Sequence, residues 1–229
     1  MTIKKDDAIN TIMAEFEELA NLVLFQLDYL ETQMLSGQLT VPPELLDQVE
    51  KNEKHLDRQE VKLSDRIVNT IVLYQPVASE IRKIIACYRM VISLERIGDH
   101  VVSIFHFMES IKSKAVYEEL SDVISNMLML SISMVKNSLI AFTNQDKELA
   151  IWTIKNESVA NEMNHKMLKK AIGKGKFGEE KKSVLLSFIT IKEMVSNIER
   201  IADHAANIAE AAIYSFEGKD IRHHRNEED

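Results

Sequence analysis

The sequence predicts an all-α protein in which six long helices form two tandem, pseudo-symmetric three-helix bundles. Three observations lead there. Only 6 glycines and 3 prolines occur in 229 residues, so regular structure has few places to break. Between those breaks apolar residues recur at three- and four-residue spacing, the period of a helix with one buried face. Lastly, Glu95, Arg96, Ile97, Asp99, His100 and Ile104 return as Glu199, Arg200, Ile201, Asp203, His204 and Ile208, a constant offset of 104 that marks a duplicated unit.

The helices follow in order from the breaks. The first runs to Ser36-Gly37, and Pro42-Pro43 opens the second. Gln75-Pro76 divides the second from the third, with Pro76 placed for a first helical turn, where a missing N–H costs nothing. Ser113-Lys114, Thr143-Asn144 and the glycine-rich stretch 173–178 divide the rest. Each segment holds about 25 to 40 residues, too many for a strand. At 1.5 Å per residue the longest would span roughly 50 Å. The units are residues 1–112 and 113–217. A charged tail, residues 218–229, is expected to fray, and its His223-His224 pair to be solvated.

Composition excludes several functions. A net charge of −8 argues against binding a nucleic-acid backbone or an anionic membrane, both of which need basic surface. It suits a cationic partner or metal ions, and equally the ordinary needs of solubility. Cys87 lies in an apolar helical pattern with Ile84, Ile85 and Val91, which reads as a buried inert thiol. The N-terminus MTIKKDDAIN has acids where a signal peptide needs its apolar core. The most apolar stretch, VISNMLMLSISMVKNSLIAF, is interrupted by Asn126, Lys136 and Asn137. No membrane insertion and a cytoplasmic location are expected.

The motifs LERIGDH (residues 94–100) and IERIADH (residues 198–204) carry the chemistry. On the sixth helix Val184, Phe188, Ile191, Val195, Ile198, Ala202, Ala205, Ala209 and Ala212 keep the alternating spacing of a bundle seam. Shifted by the offset, the third helix gives Ile84, Cys87, Val91, Leu94, Gly98, Val101, Phe105 and Met108. Gly98 and Ala202 fall on the seam, where a small side chain would let a neighbouring backbone come close. Glu95 with Asp99, and Glu199 with Asp203, sit beside it, each pair one turn apart on a shared face. A solvated charged face would tolerate one such pair, with Arg96 or Arg200 as offset. The second helix points further: its stripe Leu46, Val49, Leu56, Leu63, Ile67 has Glu53 and Glu60 in its gaps. An inward glutamate needs a cation or hydrogen bonds. Packed antiparallel, the second and third helices would bring Glu53, Asp57, Glu95 and Asp99 together as an oxygen-rich site for a hard or borderline cation. The matching set, Glu157, Asn161, Glu199 and Asp203, has one charge fewer and is expected to bind more weakly or with a different metal number.

These two motifs, the half-chain repeat and the segment QPVASEIR resemble the PhoU family over nearly the whole length. The resemblance implies metal clusters on acidic helix pairs, carried over to Glu53, Asp57, Glu95 and Asp99 and to Glu157, Glu199 and Asp203. Asn161 stands where the family has an acid, and Glu80 where it has an aspartate. The metal could be iron, zinc, manganese or magnesium. Also implied is a regulatory adaptor without enzymatic activity, one that restrains phosphate uptake and the phosphate-starvation response. Its partners would be the ATPase of a phosphate ABC transporter and a sensor histidine kinase. A homodimer suits long exposed helices.

Two other readings stay open at this point. A carboxylate-bridged metal enzyme or metal store would need Glu-x-x-His on two helices, and the chain offers only Glu162 with His165, unmatched by Arg58 and Val61 at the offset. A PhoU-like paralogue serving another phosphate carrier is the second. His100 and His204 turn about 100 degrees from the acidic face and are expected at the surface or between helices rather than on metal.

Overall fold

A computed structural model describes residues 2–173 and 181–222. Six helices and no strand occur among them: α1 (Thr2–Leu35), α2 (Pro43–Tyr74), α3 (Ser79–Ser110), α4 (Lys114–Asn144), α5 (Lys147–Gly173) and α6 (Lys181–Glu217). The fold class read from the sequence is the fold observed.

The helix ends show which breaks act and how. Pro43 is the first residue of α2, where Pro42 accepts the N–H groups of Leu45 and Leu46. Gln75 ends α2 in the left-handed region at φ 46°, its N–H bonded to Ile71 O at 3.0 Å. Pro76 does not open α3, contrary to the sequence reading. The chain makes a second left-handed step at Ala78 (φ 48°, ψ −114°), and the helix starts only at Ser79. Glu80 then reaches back to accept the Val77 N–H at 3.2 Å and pairs with Lys5 of α1 at 2.6 Å. One carboxylate therefore ties the turn before α3 to its first helical turn and fixes α1 beside it.

Helices α3 and α6 share the largest helix–helix contact and run antiparallel, as three points along them show. The Lys112 and Ser113 amides donate to Ser187 Oγ near one end. His100 meets His204 in the middle, and Arg89 meets Asp220 at the other end. Helices α1 and α2 pack on α3, α4 and α5 on α6, and α1 touches α4 across the junction, which gives the molecule its pseudo-twofold. Every seam residue read from the third helix is buried, from Ile84 to Met108. One hydrophobic core runs through both halves without interruption, from Ile12 and Leu27 to Ile201 and Ala212. Burial pushes the Cys87 thiol up to about 12, so it stays protonated and inert.

Gly98 sits where α3 meets side chains of α2 and α1 closely. A Cβ there would stand 2.6 Å from Leu56 Cδ1 and 3.3 Å from Gln26 Oε1. The space belongs to buried side chains of α2 and α1, and not to a neighbouring backbone as the spacing had suggested. Gly218, at φ 73°, closes α6 through its N–H to Tyr214 O, and Asp220 pairs with Arg222 and Arg89. Arg89 also lies 4.8 Å over the Tyr214 ring, so it meets both the last turn of α6 and Asp220 beyond it. His223 and His224 lie outside the described residues. By length and composition α4 is apolar enough to cross a membrane, but half of its most apolar window is buried inside the protein.

Candidate metal centre

The centre forms where the apolar stripe of α2 gives way to acids. Val49, Leu56, Leu63, Ile67 and Thr70 are buried against the bundle, and the partly buried Glu53 and Glu60 occupy the gaps between them. Because α2 and α3 are antiparallel, their acids meet in sequence along the seam. His106 Nε2 lies 3.3 Å from Glu50 Oε1 at one end. Next, oxygens of Glu53, Asp57 and Asp99 all come within 4.8 Å of one another. One turn on, Glu95 feels the charges of Asp99, Asp57 and Glu60.

Of the four carboxylates expected here, three converge and the fourth flanks them. Arg96 spans both motif acids, 3.3 Å from Glu95 and 3.1 Å from Asp99, as the neighbouring charge was expected to do. It does not neutralise the group. Burial first, then Asp99, pushes Glu95 up to about 7. Glu53 is raised as well, by burial and then by Asp57 and Asp99. Carboxylates pushed toward protonation by burial and by one another's charge are what a divalent cation relieves, and an all-oxygen donor set fits hard or borderline ions.

His100 and His204 take no part in this group. Their rings face each other across the α3–α6 contact with centroids 5.6 Å apart, and His100 Nδ1 lies 2.9 Å from Asn197 Oδ1. Burial, followed by His100 and two arginines, pushes His204 down to about 4, so the pair is neutral and acts as an inter-helix contact. Beside the carboxylates an open groove of about 460 Å³ has Glu53 and Asp99 on one wall and Asn197 and Arg200 of α6 on the other.

The second half repeats the geometry with other atoms. Glu157, Asn161 and Asn164 follow at helical spacing on α5, and Asn164, 5% exposed, donates Nδ2 to Glu199 Oε2 on α6. The Oδ1 atoms of Asn161 and Asn164 are buried without a hydrogen-bond partner. Among the described residues, three acids converge closely enough for a metal only in the first half. Two members of these sets were not singled out as site residues from the sequence: Glu60, which raises Glu95, and Asn164. The signal was present, since the offset of 104 maps one onto the other. Glu162 and His165, the isolated Glu-x-x-His match, are exposed; Glu162 pairs with Lys166 and His165 with the Asn161 carbonyl.

With this geometry in place, the similarities to known proteins become specific. The PhoU domain matches the chain twice, at residues 16–108 and 124–212. A phosphate-specific transport system accessory protein PhoU homolog of a Burkholderia species is 26% identical over 220 residues, covering 95% of this chain and 91% of that protein. The protein of the same name from Aquifex aeolicus is 34% identical over 188 residues, covering 79% and 80%. Among solved structures, the phosphate transport system regulatory protein PhoU of Streptococcus pneumoniae superimposes with a TM-score of 0.79 at 21% identity, covering 94% of this chain and 98% of that one. Pseudomonas aeruginosa PhoU gives 0.75 at 21% identity, covering 93% and 99%.

Proposed function

This chain belongs to the PhoU family, and from that premise we propose that it is a regulatory adaptor without chemical turnover that restrains phosphate uptake and the phosphate-starvation response. The relatives' names as accessory proteins of phosphate-specific transport support the setting. The proposed partners are the ATPase of a phosphate ABC transporter and a sensor histidine kinase, met in the cytoplasm, with the chain itself forming a homodimer. Net charge −8 and long exposed helices favour protein partners with basic patches over nucleic acid.

The observation that carries the mechanism is the convergence of Glu53, Asp57 and Asp99. A divalent or iron-type ion held there would tie α2 to α3. Glu95 and Glu60 stand next to it, and Arg96 steadies both motif acids from outside. The ion's role in this reading is mechanical: it draws carboxylates that otherwise repel into one rigid seam, and so fixes the surface that the partners read.

Asp57→Asn combined with Asp99→Asn tests this. The variant should lose metal by elemental analysis, and a phosphate-responsive reporter should stay on in phosphate-replete cells lacking the native copy. Unchanged metal content together with normal repression would sink the mechanism. Turnover of an oxidase or hydrolase substrate by the metal-loaded protein would overturn the adaptor reading itself.

A further inference from the structure

We infer that the second half closes its α5–α6 seam with a carboxamide–carboxylate hydrogen bond in place of a metal, so that this chain carries a single metal centre, in α2–α3. The inference rests on the centre proposed above and departs from the equal treatment of the halves that the repeat invites.

The offset of 104 pairs the two constellations residue by residue. Glu53, Asp57, Glu60, Glu95 and Asp99 in the first half correspond to Glu157, Asn161, Asn164, Glu199 and Asp203 in the second. Two carboxylates have become carboxamides, both on the helix that faces the motif. Charge is only part of the change. An ionised carboxylate only accepts, so Glu60 repels an ionised Glu95 unless a proton or a metal cation comes between them. A carboxamide also donates, and Asn164 uses that capacity on Glu199.

Glu199 Oε2 thus already holds a donor where a metal would need its lone pair. Freeing it would leave a buried amide N–H without a partner, since Asn164 is 5% exposed. The Oδ1 atoms of Asn161 and Asn164 are neutral and weak as ligands, and water can satisfy them without the dehydration a divalent cation must undergo. The first half therefore stays strained until a cation arrives, whereas the second is already tied.

Full-length protein stripped with chelator and dialysed against Mn²⁺ decides this by elemental analysis. Asp57→Asn with Glu60→Asn, which gives the first half the second half's residues, should abolish bound manganese. Glu199→Gln should leave it unchanged, and Asn161→Asp with Asn164→Glu should raise it about twofold. Manganese that falls by half in Glu199→Gln, or persists in the Asp57/Glu60 variant, overturns the inference. If the wild type binds none, the metal reading of the first half fails separately. The claim that the Asn164–Glu199 bond takes the place of a metal in the second half then stands if the Asn161/Asn164 variant gains manganese and falls if it does not. Asn164→Asp alone, which removes the amide donor to Glu199, replaces the double variant if circular dichroism shows that variant unfolded.

Discussion

At the scale of single residues, Gly98 and Glu95 show how one motif divides its work. Gly98 costs its helix roughly 1 kcal/mol relative to alanine, yet an alanine Cβ would press on Leu56 Cδ1 at 2.6 Å. Gly98→Ala should therefore destabilise the protein by up to about 2 kcal/mol net, an overpacking cost of about 1 to 3 kcal/mol less the roughly 1 kcal/mol of helix propensity regained. Adding Leu56→Val should recover part of the loss in urea denaturation; equal and additive losses would refute the contact. Glu95 has a pH signature. Its carboxyl rises from an ordinary 4.5 to about 7, so in metal-free protein its contribution to stability is complete below 4.5 and is lost as pH rises through 7. His204 works the other way: lowered from 6.5 to about 4, it favours the fold above 6.5 and opposes it as pH falls through 4. The advantage of Glu95→Gln over wild type should grow from pH 5 to pH 8 when chelator is present. A flat difference would mean that Glu95 is not strained. The acids themselves were legible, because four-residue spacing and an exact repeat both survive in a linear string.

At the scale of the helices, what was not legible is the register between them. Spacing within α2 places Glu60 on the inward stripe, but only the α2–α3 turn decides that it faces Glu95. That turn takes two left-handed steps, at Gln75 and Ala78, neither of them glycine. Sequence reasoning gave Pro76 to the first turn of α3, since proline and helix starts go together; the preference for glycine at positive φ is satisfied here by no glycine at all. An alanine at φ 48° and ψ −114° stores strain of order 1 to 3 kcal/mol, part of which Ala78→Gly gives back in unfolded-chain freedom. Ala78→Gly should stabilise the protein by about 0.5 to 1.5 kcal/mol in chemical denaturation. Destabilisation would mean that the turn holds Ala78 without strain. Glu80 likewise stood out in the sequence only as a glutamate where the family has an aspartate. Its contact with Lys5, 75 positions away, gives it a reason that a linear pattern does not contain.

At the scale of the whole molecule, the question is whether an ion in one half stabilises the other. The halves were legible as a repeat, but their union was not: a repeat says nothing of whether two cores merge. They do merge, through α3 against α6, with His100, His204 and Asn197 at the crossing and apolar side chains on both sides of it. A continuous core favours unfolding as one cooperative unit, so a ligand on one half should shift the transition of both. The single tryptophan, Trp152, reports on this because it lies on α5, in the half proposed to hold no metal. At a free metal concentration of about 100 times the dissociation constant, binding adds roughly 2.7 kcal/mol to the stability of the linked unit. Trp152 fluorescence and far-ultraviolet circular dichroism should then give coincident melting curves, both displaced downward by the same amount when chelator is added. If the ellipticity shifts in two steps while the Trp152 curve stays in place, the halves unfold separately. The ion would then act on α2–α3 alone, and a partner docked on α4 or α5 could not sense it through the fold.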